Sequence, residues 1–169
     1  MFKHILMPTD GSEHSERAVE RGIELAKLCG ARVTGIHVMQ DYLMLIAGEG
    51  MLATGMEENM DAQVREQAEK FLAFVKQAAD NAGVPCETVI AKGKHPYDAI
   101  VDVANERGCD LIVMTSRYKK GLGALIMGSE AGRVLHRASI PVLTFRGLMS
   151  ADHPDKAVSK PGGERKASG

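Results

Sequence analysis

Two short segments, Ile5-Leu-Met7 and Leu111-Ile-Val-Met114, are apolar at every position. Successive side chains of a strand point to opposite sides of its sheet, so strands of this kind need cover on both faces. Between and beyond them the pattern alternates strand and helix. His4–Met7 is a strand ended by Pro8, and Ser12 is a good N-cap for a helix with Glu13 and Glu16 at its positive end. Ala18, Val19, Gly22, Ile23 and Ala26 recur at helical spacing until Gly30. A second strand runs Arg32–Val38, and a second helix carries Val64, Ala68, Phe71, Val75, Ala78 and Ala79 on one stripe, ending near Gly83. Cys86–Ala91 is the third strand, and the third helix opens at His95, carries Ile100, Val103 and Ala104, and closes at Gly108. Leu111–Met114 is the fourth strand, a short helix surrounds Val134 and Leu135, and Pro141–Phe145 is the fifth strand.

Strands alternating with helices imply right-handed crossovers and a parallel sheet covered on both faces. Five strands are too few for the eight-stranded barrel, which leaves an open, doubly wound, Rossmann-like α/β sheet. At 169 residues the chain is one domain plus a tail: from about Gly147 it is polar and rich in Pro and Gly, and residues 147–169 are expected to be disordered. The Met39–Met56 connection is long, Met-rich and broken by glycine. It reads either as an ordinary connection or as a lid or partner surface.

The formal net charge of −1 gives no electrostatic footprint for nucleic acid or an anionic membrane. No apolar run approaches the roughly 18 residues of a membrane helix, and the opening Met-Phe-Lys-His-Ile-Leu-Met feeds a strand. Three cysteines, Cys29, Cys86 and Cys109, lie far apart with no CxxC pair, so a reducing cytoplasm is the expected compartment.

In an open sheet, ligands bind beyond the carboxyl ends of the strands, where strand order reverses. With the first and fourth strands adjacent, that crevice lies between Pro8-Thr9-Asp10 and Met114-Thr115. Asp10 can accept from an adenine amino group or a ribose hydroxyl, or hold a metal through water; an Asx turn or helix cap needs an Asp here just as much. Gly128-Ser129 opens a helix and can present N–H groups and a hydroxyl to an anion, or Ser129 is only a cap. Glu130 suits the helix's positive end and repels a phosphate. Arg117, Lys119 and Lys120 place positive charge beside the crevice, as ligand contacts or as solvated loop residues. His37 and His95 lie toward the same sheet edge as Asp10, but no metal-ligand spacing joins them. Ser12 and Ser116 have no assignable base, so no catalytic residue is identified.

The Pro8-Thr-Asp-Gly-Ser12 turn, Gly93-Lys-His-Pro-Tyr-Asp-Ala-Ile100, Leu111-Ile-Val-Met-Thr-Ser116 followed by Met127-Gly-Ser-Glu130, and Arg133-Val-Leu-His-Arg-Ala-Ser-Ile-Pro-Val-Leu143 resemble the universal stress protein family across residues 2–146. The resemblance implies strand order 3-2-1-4-5 and a homodimer formed by antiparallel pairing of the last strands, here Val142 to Phe145. It also implies an adenine nucleotide, ATP or AMP, with or without magnesium. Members that bind ATP carry G-x2-G-x9-G-[ST]; laid on this chain, Gly128 and Ser129 match, while Thr115 and Tyr118 stand where the first two glycines would be. Asp10 and Val38 match residues beside adenine and ribose, flanked by Pro8, Thr9 and Met114. The nucleoside half is therefore expected intact and the phosphate half altered. The alternatives are a nucleotide-independent dimer acting on an unknown signalling partner, and a weak ATP hydrolase.

Overall fold

The computed structural model describes residues 1–40, 56–116 and 129–146. Its elements are β1 (His4–Pro8), α1 (Glu13–Cys29), β2 (Arg32–Gln40), α2 (Met56–Ala82), β3 (Cys86–Gly93), α3 (Pro96–Glu106), β4 (Leu111–Ser116), α4 (Ser129–Arg137) and β5 (Val142–Arg146). Strands and helices fall where the sequence pattern puts them, with longer ends. Met39 and Gln40 extend β2, Thr115 and Ser116 extend β4, and α2 starts at Met56. The rest of the Met39–Met56 connection, the segment from Arg117 to Gly128, and the polar tail 147–169 lie outside the described residues.

All strand pairs are parallel, in the order β3-β2-β1-β4-β5. The chain steps one way from β1 to β3, then returns to lay β4 and β5 on the other side of β1. Right-handed crossovers then place α1 and α2 on one face and α3 and α4 on the other. Two cores result. Ile5, Met7, Val19, Ile23, Val75 and Val113 are buried together on the first face. Leu6, Ile36, Ile100, Ile112, Met114 and Val134 are buried together on the second. The residue-by-residue alternation along Ile5–Met7 of β1 and Leu111–Met114 of β4 shows why every position of those runs is apolar.

Helix ends follow their sequence signals. The Ser12 hydroxyl accepts from the Ser15 N–H at the start of α1. Gly30, at φ 64°, closes α1 in the left-handed region. Gly35 on β2 lets α2 approach: a Cβ there would sit 2.9 Å from Val75 Cγ1. At the amino end of the inner strands, Asp110 accepts from the Lys3 and His4 N–H groups at 2.8 and 3.0 Å, tying the entrance of β1 to that of β4. His4 is buried, with Nδ1 3.1 Å from the Arg107 carbonyl and Nε2 2.7 Å from Thr34 Oγ1. The carbonyl can only accept, so Nδ1 carries the proton and Nε2 accepts from the threonine hydroxyl. Burial, and after it the nearby Arg32 guanidinium, hold the His4 pKa below its ordinary 6.5, against the upward pull of the bond to the Arg107 carbonyl.

Two outcomes are expected. Gly35→Ala should lower unfolding free energy by about 1–3 kcal/mol through overpacking against Val75. In a Val75→Ala background its cost should shrink, and equal costs in chemical denaturation would show that the contact does not limit packing. For His4, the unfolded chain protonates near 6.5 while the folded one resists, so the unfolded state binds more protons below that pH. Wild-type stability should therefore fall relative to His4→Gln as pH drops below about 6.5, and the difference should be flat above it. Parallel pH–stability curves would remove this assignment.

Candidate functional site

The strand order reverses between β1 and β4, so the crevice at their carboxyl ends lies where the sequence places it. The β1–β2 ladder ends in the bond from the Thr9 N–H to the Ile36 carbonyl, 2.9 Å. Beyond it the chain turns through Asp10 and Gly11 into α1, and side chains replace the ladder. Gly11 takes φ 70°, where a side chain would be strained.

The hydroxyl protons of this turn can be assigned by elimination. The Ser15 hydroxyl donates to the Ser12 carbonyl at 2.8 Å. Its proton is thereby used, so in the 3.1 Å contact with Thr9 Oγ1 the threonine donates. Thr9 Oγ1 in turn accepts from the Gly11 N–H at 3.2 Å. The Ser12 N–H and hydroxyl both donate to Asp10 Oδ1, at 3.0 and 2.5 Å. Thr9 is thus a buried structural residue of the turn. Asp10 is exposed, and its Oδ1 makes an Asx turn.

Around this turn, Pro8 and Val38 are half-buried, Val38 packing against the second core. Met114 is buried in that core, beneath the crevice. Thr115 is half-buried, and its hydroxyl donates to the Phe145 carbonyl at 3.4 Å, toward β5. Ser129 begins α4 and Glu130 lies in its first turn. Arg117, Tyr118, Lys119, Lys120 and Gly128 lie outside the described residues. The turn residues Pro8, Thr9 and Asp10, the strand-end residues Val38, Met114 and Thr115, and the helix start at Ser129 and Glu130 belong to elements that converge on the crevice edge.

Three buried side-chain oxygens among the described residues lack a hydrogen-bond partner; Asp98 Oδ1 is still ion-paired with Arg137 at 3.0 Å, which leaves two. Ser116 Oγ is fully buried and has no hydrogen-bond partner. Glu130 Oε2 is likewise buried without one, while its Oε1 lies 3.8 Å from Arg133. The sequence signal for Ser116 is a hydroxyl that, with Thr115, ends a strand whose first four residues are apolar. For His37 the sequence offers only a metal reading, which no ligand spacing supports. In the structure, His37 Nδ1 lies 2.8 Å from the Thr9 carbonyl and the ring meets Phe71 edge-on at 5.2 Å. His95 flanks α3 without a side-chain cap and stacks on Tyr97. No group of three or more His, Cys, Asp or Glu side chains among the described residues is placed to hold a metal. Burial pushes the Cys109 thiol up to about 11, which makes it a poor nucleophile.

Comparison with known proteins agrees with this architecture. Universal stress protein MJ0531 of Methanocaldococcus jannaschii is 35% identical over 146 residues, covering 86% of this chain and 83% of the relative. The solved structure of hypothetical protein MJ0577, from the same organism, superposes with a TM-score of 0.70 at 27% identity, covering 86% of this chain and 96% of that one. A universal stress protein solved in complex with cAMP gives a TM-score of 0.60 at 23% identity, covering 87% and 98%. Residues 1–146 match the universal stress protein family as a whole, and the chain belongs to that family.

Proposed function

We propose that this protein binds an adenine nucleotide, AMP or ATP, as a regulatory ligand of a stress response, acting as a cytoplasmic homodimer with residues 147–169 as an appended tail. The observation that carries the reading is the Thr9–Ser12 turn: it holds an exposed carboxylate in a fixed Asx geometry at the reversal of strand order. Asp10 would receive ribose or adenine donors, and Val38 would supply the apolar contact to the base. A solved relative whose ligand is cAMP adds support for an adenylate.

The phosphate half falls to Thr115, Arg117, Gly128 and Ser129. The Thr115 hydroxyl already donates to the Phe145 carbonyl, so serving a phosphate requires it to exchange that bond. Glu130 brings negative charge to the same helix turn. Both features favour a nucleotide with few phosphates. Magnesium, where it takes part, would be held chiefly by those phosphates, since the described side chains offer no cage. The dimer reading rests on β5, the outermost strand, whose Leu143 is 38% exposed. An apolar edge left unpaired is an aggregation hazard.

Titration of the protein with AMP and ATP, with and without magnesium, should give heat and a thermal shift. Asp10→Ala should weaken binding by about ten- to hundredfold, the loss expected for a hydrogen bond to a charged group. Asp10→Asn keeps an oxygen for the turn and should lose less. Absence of any response at millimolar nucleotide would favour the nucleotide-independent dimer, and turnover of ATP would favour the hydrolase.

The dimer has its own test. The Ile112 N–H donates to the Pro141 carbonyl, and ladder alternation then turns the Thr144 N–H away from β4. Thr144→Pro should leave the β4 ladder intact and convert dimers to monomers in sedimentation. A wild-type chain that sediments at its monomer mass, 18.2 kDa, would end the dimer reading.

A further inference from the structure

We propose that His37 and Phe71 are positioning residues that hold the Thr9–Gly11 turn, and with it Asp10, in the orientation that receives the nucleotide; the inference rests on the nucleotide reading above. The turn has no strand beside it past Thr9, so its backbone groups must find other partners. The Thr9 carbonyl finds His37 Nδ1 at 2.8 Å. A carbonyl only accepts, so Nδ1 carries the proton, and the bond fixes both tautomer and ring plane.

Phe71 of α2 touches both sides of this arrangement. Its ring meets the His37 ring edge-on, with centroids 5.2 Å apart and planes at 63°. The same ring fills the space over Gly11, where a Cβ would fall 2.0 Å from Phe71 Cε1. Histidine thus pulls on the carbonyl before Asp10 while phenylalanine presses on the residue after it. Asp10 stands between two fixed points, and neither comes from its own turn. A small side chain at Phe71 frees Gly11, and an aliphatic one at His37 leaves the Thr9 carbonyl without its donor.

The test uses the full chain and reads the turn and the ligand separately. His37→Leu removes the donor, and His37→Asn restores an N–H at nearly the same place. His37→Leu should weaken AMP binding by about tenfold, the order expected for one lost positioning bond. His37→Asn should recover most of that loss. In an Asp10→Ala background, His37→Leu should have little further effect, because it acts through Asp10. Equal losses in both backgrounds would overturn the proposal.

Amide exchange of Gly11 and Ser12 in the ligand-free protein gives a readout independent of nucleotide. It should speed up in His37→Leu and in Phe71→Ala, and return toward wild type in His37→Asn. Unchanged exchange would overturn the positioning role even if nucleotide binds. Altered exchange in a wild-type background that binds no nucleotide would uphold the clamp and reject only the ligand.

Discussion

β1 is covered on both faces and bonded on both edges, and that enclosure sets the rest of the molecule. Leu6 and Ile5 point into different cores, so neither face of the strand can be given to solvent. With β2 on one side and β4 on the other, the chain leaving β1 emerges where the sheet changes its direction of winding. Helices from opposite faces diverge there, and the gap they leave is the crevice. What remains to be solved locally is the backbone of the turn, which has lost its ladder. Four side chains of the β1–α1 turn and one from β2 do that: Thr9, Asp10, Ser12 and Ser15 close the turn on itself, and His37 takes the Thr9 carbonyl.

The two readings of Asp10, as turn former and as ligand group, therefore support each other. An Asx turn fixes the carboxylate before any ligand arrives, so ordering it is not charged against binding. The cost is that Oδ1 already holds two donors from Ser12. A ligand must fit the geometry left over, and that is a source of selectivity as well as a limit on affinity.

How much of this was legible depends on how local the cause is. The apolar runs in β1 and β4 report directly that both faces are buried, and Ser12, Gly30 and Gly108 punctuate helices through their own backbone chemistry. Element ends were less visible. Thr115 and Ser116 are polar and read as loop, yet they pair with Phe145 and Arg146 because β5 runs alongside them. His37 was opaque for the same reason. Its role needs a carbonyl on β1 and a ring on α2, and no periodicity along β2 reports either. The resemblance supplied the strand order, which the alternation alone left open.

The unpartnered oxygens at Ser116 and Glu130 mark where the described residues leave polar groups unsatisfied. They stand at the two ends of the 117–128 connection, one at the close of β4 and one in the first turn of α4. A buried hydroxyl and a buried carboxylate oxygen without partners each cost stability that a suitable ligand atom would recover. A hydroxyl can donate to a phosphate oxygen, but an ionised carboxylate cannot. A carboxylate oxygen is satisfied only by a donor, whereas the serine hydroxyl can meet either an acceptor or a donor.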